Sequence, residues 1–124
     1  MGEAMDERVT VAQLRQRVAA FVAARDWEPY HNPKNLSMSI AIEAAELMEH
    51  FQWLTHEQAQ AAMEDESRRH AVSEELADVL IYSLSLANTL GIDVGAAILD
   101  KLACNETRFP ASEWRGRARG VETV

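Results

Sequence analysis

Residues 69–91 read RHAVSEELADVLIYSLSLANTLG, a stretch with helical periodicity that ends at its only glycine. Apolar residues recur in it at intervals of three and four, which is the spacing of one helix face. The residues predicted to form this core stripe are Val72, Leu76, Val79, Leu80 and Ala87. Gly91 is typical of a helix C-terminus. The stretch therefore predicts a long helix from about Arg69 to Leu90.

This predicted helix is apolar on more than one face. Ile81, Leu84 and Leu86 lie off the main stripe. A small helical monomer would expose some of them to water, and exposed apolar faces of this kind mark interaction sites. We therefore expect a homo-oligomer that buries the second face.

Start signals for four other helices lie on either side of this stretch. Thr10 and Thr55 each open a capping-box pattern, Asn32-Pro33 combines an N-cap with a first-turn proline, and Asp93 precedes the last apolar run. Together with the stretch above, the predicted helices span about 10–25, 34–53, 55–63, 69–90 and 93–108. Because no alternating strand pattern occurs, we predict an all-α fold, a bundle of four main helices completed by oligomerisation.

The composition is that of one globular domain. The chain has 124 residues, of which 48% are hydrophobic and 26% charged. We expect a domain over residues 10–114, with flexible segments at 1–9 and 115–124. No apolar run approaches the length of a membrane span, and no basic start precedes an apolar block, so we expect neither a membrane partner nor a secretory leader. Cys104 is the only cysteine, which excludes an internal disulfide and is compatible with a cytoplasmic location.

The net charge of −8 argues against a nucleic-acid partner, because an acidic surface repels phosphate backbones. The one basic cluster comprises Arg115, Arg117 and Arg119 within the last ten residues. Such charge runs are usually solvated, so we interpret this cluster as part of an exposed tail. An anionic ligand would need cations to bind this chain.

Two pairs of carboxylates lie among apolar residues on the second and third long helices. They are Glu43 with Glu46, and Glu75 with Asp78. Residues three apart on a helix are neighbours, so each pair projects to one side. Partly buried carboxylates are costly without a counter-charge, and Mg²⁺ or Mn²⁺, which prefer oxygen ligands, would supply one. The pattern predicts a metal site and phosphate chemistry.

One alternative to this metal site remains open at this point, and a second is disfavoured by the sequence. A single Glu-x-x-Glu on a helix is usually a solvated face, so the protein could be a helical scaffold without catalysis. A redox di-iron bundle would instead need Glu-x-x-His on helices. The residues three before His50, His56 and His70 are not glutamate, and prolines flank His31, so the histidines do not support iron.

Aromatic, amide and basic side chains suggest a nucleobase pocket. Trp27 and Trp53 lie at the two ends of the second predicted helix, and Tyr82 lies one turn beyond Asp78. Aromatic faces can stack on a base and an amide such as that of Asn105 can read its edge. A helix of about 19 residues is about 29 Å long, so both tryptophans reach one base only if a second subunit supplies one.

Four segments in this order carry a family resemblance. They are HNPKNL at 31–36, EAAELMEHFQW at 43–53, EELADVLIY at 74–82 and K-x-x-x-N-x-x-R-F-P at 101–110. Together they resemble the MazG-like all-α nucleotide pyrophosphohydrolases, and within them the dCTP pyrophosphatase branch. The resemblance extends over about residues 10–114.

The resemblance implies a Mg²⁺-dependent enzyme that cleaves a nucleoside triphosphate, dCTP or a modified dCTP, between the α and β phosphates. It also implies a tetramer with sites shared between chains. The metal-binding and catalytic carboxylates would be those of Glu43, Glu46, Glu75 and Asp78. The substrate-binding residues would be Trp27, His31, Lys34, Trp53, Tyr82 and Asn105, with Lys101 and Arg108 facing phosphates.

One position departs from the family pattern. The broader motif often opens with a glutamate doublet, whereas this chain has Ile42 in the first place. The departure leaves the number of metal ions open, with Glu49 or a water as the candidate to fill the position. The base also stays open, since aromatic stacking accepts any π-face, and dUTP or another nucleotide is the alternative substrate.

Overall fold

The computed structural model describes residues 2–117. Within that range it contains seven helices and no strand, which confirms the all-α prediction. The helices are α1 (Met5–Arg8), α2 (Val11–Ala23), α3 (Pro33–Glu49), α4 (His56–Ala62), α5 (Glu66–Leu90), α6 (Val94–Arg108) and α7 (Ala111–Trp114). Residues 118–124, including Arg119 of the predicted tail, lie outside the described residues.

The predicted helix starts are confirmed at four caps. The side chains of Thr10, Asn32, Thr55 and Asp93 each accept a hydrogen bond from a backbone N–H three residues later. At the other end of α5, Gly91 adopts φ +65° and caps the helix in the left-handed conformation that glycine tolerates. These boundaries were predictable because each cap depends on local sequence.

Two predicted boundaries were wrong. Helix α3 ends at Glu49 and not at Trp53. After Glu49 the backbone forms hydrogen bonds between residues three apart, such as that from the Phe51 N–H to the Met48 carbonyl, and the chain then extends into the cap of α4. Helix α5 begins three residues earlier than predicted. Asp65 caps the helix by accepting hydrogen bonds from the backbone N–H groups of Ser67 and Arg68. The Ser67 hydroxyl also donates to this carboxylate, and that bond is the main reason why the pKa of Asp65 is lowered.

The chain divides into two compact units, Met1–Ile92 and Asp93–Val124. In the first unit α3 packs along α5, and α2 packs against α5 as well. Asn88 on α5 accepts from the guanidinium of Arg15 on α2 and donates to the Arg15 carbonyl. Leu36 of α3 is the most deeply buried large apolar residue described, at 1% exposure.

The inward face of α5 differs from the predicted stripe. Leu76 and Leu80, predicted as core, are 48% and 54% exposed, and Ile81 beside them is 43% exposed. Leu84 and Leu86, predicted off the stripe, are half-buried. The helix turns Glu75 and Tyr82 inward together with Val79, which was predicted as core, so it leaves an outward apolar face defined by Leu76, Leu80 and Ile81.

In the second unit, α6 is followed by the short helix α7. The rings of Phe109 and Trp114 meet edge to face, with centroids 5.0 Å apart. Across the described residues, no helix taken singly is both long enough and apolar enough to cross a membrane; α5 and α6 satisfy that test only when added together, by length and composition alone.

Candidate active site

An acidic cluster forms where α3 packs along α5. Helix α3 contributes Glu43, and α5 contributes Glu75 and Asp78, which are three residues apart on one face. One carboxylate oxygen from each of the three lies within 4.8 Å of the others. The structure thus brings together three of the four carboxylates that the sequence singles out, at a separation that one cation can bridge.

Two oxygens of this cluster are buried without partners. The Oε2 atoms of Glu43 and Glu75 are inaccessible to solvent and have no hydrogen-bond partner among residues 2–117. Leaving a charged oxygen buried and unsatisfied is costly, and an all-oxygen set of this kind suits hard divalent cations. The donor set therefore fits a metal ion.

The crowding of carboxylates raises two pKa values. Burial raises the pKa of Glu43 to about 7, and the neighbouring carboxylates, Glu46 first, add to the effect. Burial also raises the pKa of Glu75, to which Glu46 and Asp78 add through repulsion. Both shifts have the direction expected when negative charges share a partly dry site without a counter-ion.

Glu46 lies beside this cluster but is not one of the three converging residues. Its carboxylate acts on the pKa of both Glu43 and Glu75, so it is their neighbour. Glu49, the candidate for the missing position of the doublet, is exposed. Ile42 occupies that position and lines the adjacent cavity instead.

An aromatic cavity of about 420 Å³ opens next to the cluster in the same unit. It lies beside the cluster on both helices, since Ser39 lies one turn before Glu43 on α3 and Tyr82 lies one turn after Asp78 on α5. The residues that line it are Trp27, Tyr30, His31, Asn35, Leu36, Met38, Ser39, Ile42 and Tyr82.

Three rings form one wall of this cavity. The Trp27 and His31 rings stack with centroids 6.3 Å apart and planes 18° apart. The centroid of the Tyr82 ring lies 6.1 Å from that of His31, with the planes 32° apart. Phe21 meets the edge of Trp27 at 5.8 Å and supports it from α2. Flat π-faces exposed at such a wall are suited to a planar ring.

Hydrogen bonds fix the loop that carries these rings. The Asn35 amide donates to the Tyr30 carbonyl, and the Thr89 hydroxyl of α5 donates to the His31 carbonyl. His31 Nδ1 lies 2.8 Å from the Ser85 hydroxyl, also on α5. The loop between α2 and α3 is therefore tied to α5 at two points one turn apart.

Two of the substrate residues predicted within the first unit lie outside this cavity. Trp53 is 86% exposed in the turn after α3, and Lys34 is exposed in the first turn of α3. Neither lines the cavity within this chain. For Trp53 this agrees with the expectation that the two tryptophans cannot meet the same base in one subunit.

A cationic cavity of about 400 Å³ lies within the second unit. It contains the predicted residues Lys101, Asn105 and Arg108 together with Arg117. The Arg108 guanidinium lies over the Phe109 ring at 5.2 Å. Among residues 2–117, no carboxylate forms an ion pair with any of its three cations. This cavity can accept an anionic group.

Several lining residues were not predicted. Tyr30 could have been singled out, because it lies between Trp27 and His31, two residues predicted for the site. Arg117 was assigned to a solvated tail, and only the fold places it beside Lys101 and Arg108. Phe21 does not line the cavity but contacts Trp27 from α2, and nothing in the sequence pairs these two rings.

Comparison with known proteins gives consistent matches. The MazG-like family model matches residues 38–120, a range that contains all three residues of the acidic cluster. Human dCTP pyrophosphatase 1 is 39% identical over 110 residues, covering 89% of this chain and 65% of that protein. The bovine protein of the same name is 38% identical over 109 residues, 88% of this chain and 64% of its own length. The chain thus spans just under two thirds of these relatives.

Two further relatives match over nearly their full length. The dATP/dGTP diphosphohydrolase of Cyanophage S-2L is 32% identical over 112 residues, 90% of this chain and 89% of that protein. The crystal structure of a pyrophosphatase from Archaeoglobus fulgidus superimposes with a TM-score of 0.74 at 37% identity, covering 89% of this chain and 96% of its own. The second match supports the helical architecture independently of the sequence motifs.

Proposed function

The chain belongs to the MazG-like family, and from this premise we propose that it is a Mg²⁺-dependent nucleoside triphosphate pyrophosphatase. Its substrate would be a deoxynucleoside triphosphate, with dCTP or a modified dCTP preferred. The products would be the nucleoside monophosphate and pyrophosphate. We also propose that it acts in the cytoplasm, in keeping with its single free cysteine, Cys104.

The observation that carries this proposal is the pairing of the acidic cluster with the aromatic cavity on one pair of helices. A bound cation would satisfy the buried, unpartnered oxygens of Glu43 and Glu75. The cavity that begins at Ile42 and Tyr82 offers stacking surfaces to a planar base. A metal–nucleotide complex contains both a cation for the acidic cluster and a planar base for the aromatic cavity. A scaffold protein would need neither site, and a protein that only stores metal would not need the aromatic cavity.

Glu43, Glu75 and Asp78 would hold the metal, with Glu46 beside them. When bound, Mg²⁺ supplies charge neutralisation at the phosphoryl oxygens and a water of lowered pKa. Glu46 is outside the converging set of three and is the carboxylate we propose as proton acceptor. In the reaction water oxygen attacks the α-phosphorus, the bond from that phosphorus to the bridging oxygen breaks, and pyrophosphate leaves.

The aromatic wall would hold the base. Stacking against Trp27, His31 or Tyr82 stabilises any base, so these rings supply affinity more than selectivity. Polar groups of the same cavity, such as Asn35 and Ser39, would supply the hydrogen bonds that distinguish one base from another.

The cations of the second unit would bind phosphate oxygens. Lys101, Arg108 and Arg117 carry charge that no carboxylate among residues 2–117 neutralises. A guanidinium binds phosphate through paired hydrogen bonds, which makes the two arginines the stronger candidates.

We expect Arg117→Ala to raise the KM for the triphosphate several-fold, whereas Arg8→Ala, a control in the unrelated helix α1, leaves it unchanged.

We further propose a homo-oligomer, a tetramer, in which each site draws residues from two chains. The outward apolar face of α5 would be buried at the interface, and the exposed Trp53 would reach the aromatic cavity of a neighbour. Sedimentation at micromolar concentration would give the assembly size, and a monomer would contradict this proposal.

Mixing two impaired variants, assayed at a dCTP concentration below KM, tests whether sites are shared. Glu75→Gln and Trp53→Ala each damage every site when expressed alone. If Trp53 acts in trans, random reassembly of the two chains restores about a quarter of the sites to wild-type composition. No recovery on mixing would mean that Trp53 serves only its own chain.

The decisive assay for the activity uses dCTP, Mg²⁺ and ¹⁸O-labelled water. We expect dCMP and pyrophosphate, with the label in dCMP, because attack occurs at the α-phosphorus. EDTA should abolish turnover. Formation of dCDP and phosphate, or label in the pyrophosphate, would contradict the proposed bond cleavage.

A purine nucleotide is the second candidate substrate. The phage relative that matches over 89% of its length is named for dATP and dGTP. Because stacking alone accepts any base, a panel of dCTP, 5-methyl-dCTP, dUTP, dATP and dGTP is needed. The highest kcat/KM in that panel identifies the substrate, and we expect it for a cytosine base.

A further inference from the structure

Ser85 is a buried polar residue of the first unit. It is 4% exposed, and it lies on α5 one turn before Thr89 and one turn after Ile81. Its hydroxyl lies 2.8 Å from Nδ1 of His31, the histidine in the aromatic wall. Within residues 2–117 the structure records no other hydrogen bond of this hydroxyl, so its single polar contact is with the candidate site.

A nearby serine on the same helix behaves differently. The Ser83 hydroxyl donates to the Val79 carbonyl four residues earlier, at 2.7 Å. That is the usual way in which a helical serine satisfies its proton. Ser85 makes no such back-bond, so its proton is satisfied only if the hydroxyl donates to His31.

This donation sets the protonation pattern of the imidazole. A ring nitrogen that accepts a hydrogen bond carries no proton, so Nδ1 is the acceptor and Nε2 carries the hydrogen in the neutral ring. The opposite arrangement, in which Nδ1–H donates to Ser85, would leave the buried hydroxyl proton without an acceptor, which is unfavourable. Nε2–H is then the free polar group of a ring that lines the cavity.

We propose that Ser85 is a positioning residue that holds His31 as the Nε2–H tautomer, so that the aromatic cavity presents a hydrogen-bond donor to its ligand. The ligand must then offer an acceptor in the plane of its ring, such as a carbonyl oxygen or an unprotonated ring nitrogen. The identity of that ligand as a nucleobase rests on the proposed function, whereas the Ser85–His31 contact does not.

Long-range ¹H–¹⁵N NMR of the histidine rings tests the tautomer without any need for activity. The His31→Asn variant identifies the His31 signal. In the wild-type protein at pH 8 we expect an unprotonated Nδ1 and a protonated Nε2. In Ser85→Ala the two tautomers should become mixed, and in Ser83→Ala the spectrum should match the wild type. A protonated Nδ1 in the wild-type protein would overturn the proposal.

Steady-state kinetics test the consequence for binding. We expect Ser85→Ala to raise the KM for dCTP about tenfold with kcat changed less than about twofold, since a misoriented donor weakens binding in ground and transition states alike. Ser83→Ala should keep the wild-type KM, and Ser85→Cys, which keeps a weak donor in a similar volume, should be intermediate. An unchanged KM in Ser85→Ala would overturn the role in recognition.

The two measurements separate this inference from the proposed activity. If the wild-type protein released no pyrophosphate from any triphosphate, the proposed function would fail while the NMR result still decided the tautomer. If activity were present and the wild-type ring showed the other tautomer, the present inference alone would fail.

Discussion

The acidic cluster and the aromatic cavity are built on the same pair of helices, yet their polar groups are satisfied in opposite ways. In the cluster, Glu43 and Glu75 each bury an oxygen that has no partner among the described residues. In the cavity, the His31 ring and the His31 carbonyl are both bonded, to Ser85 and Thr89 respectively. The cluster therefore has polar atoms that its own chain leaves unsatisfied, whereas Nδ1 and the carbonyl of His31 are satisfied by α5.

The two regions are therefore stabilised by different interactions. The cavity is held by contacts within the chain, so its shape exists before a ligand arrives, and preorganisation of this kind reduces the entropic cost of binding. The cluster instead concentrates negative charge that a bound cation, or a proton on Glu43, relieves. We therefore expect metal binding at the cluster to raise the stability of the folded protein, and contacts in the cavity to determine the affinity for the base.

The largest expected effect is the loss of a carboxylate from the cluster. Glu75→Gln should lower kcat by about 100-fold or more, since even the groups that support metal ligands cost about 10–100-fold when mutated. The matched control is Glu74→Gln, on the adjacent position of α5, where Glu74 is exposed and pairs with His70. Equal activity of the two variants in a pyrophosphate-release assay would remove the cluster from the reaction.

A smaller effect is expected from the cavity. Trp27→Ala removes a stacking face and should raise the KM about tenfold, because stacking on an aromatic residue contributes about 1–3 kcal/mol per base. The kcat should change little, since the metal-binding carboxylates are untouched. A fall in kcat with a constant KM would mean that the ring orders the cluster and does not bind the base. Met5→Ala, an exposed apolar residue of α1 outside both cavities, serves as a control.

The same two regions show which features the sequence could reveal. Cap residues such as Thr10 and Asn32 were predictable because an N-cap acts within three residues. The carboxylate pairs were predictable because helical spacing places residues three apart on one side. Both kinds of feature depend on neighbours along the chain.

Features that depend on distant neighbours were not predictable. The inward face of α5 was misassigned at Leu76 and Leu80 because a helix that is apolar on several faces does not specify which face packs. The end of α3 was misplaced because the following cap at Thr55 competes with helix propagation. The Ser85–His31 contact joins residues 54 positions apart, a separation that no local pattern encodes.

The pH dependence of stability tests whether the charged carboxylates of the acidic cluster destabilise the folded protein. Without divalent metal, the Tm of the wild-type protein should fall as the pH rises. The pKa of Glu43 is raised in the folded protein from 4.5 to about 7, so between these values the folded state keeps a proton that the unfolded state releases. The associated stability is fully present below pH 4.5 and lost as the pH passes about 7.

Saturating Mg²⁺ should reduce this slope, because the metal binds the deprotonated carboxylates of the folded state and raises its stability most at high pH. Differential scanning fluorimetry between pH 5 and pH 8, in EDTA and in Mg²⁺, measures both effects. A Tm that rises with pH in EDTA over this range, and does so equally in Glu43→Gln, would contradict the assigned role of Glu43.

The smallest expected effect is a gain in stability from Glu43→Gln in the absence of metal. The amide removes one negative charge beside Glu46 and Glu75, and its NH₂ group can donate to their carboxylates. We expect the Tm in EDTA at pH 8 to rise by a few degrees, whereas Glu49→Gln, an exposed site on the same helix, should leave it unchanged. In Mg²⁺ the order should reverse, because the wild-type cluster gains more from the metal than a cluster that has lost one ligand. A lower Tm for Glu43→Gln in EDTA would mean that the wild-type carboxylate already has a favourable partner in the folded chain, and the cluster would then be as self-sufficient as the aromatic cavity.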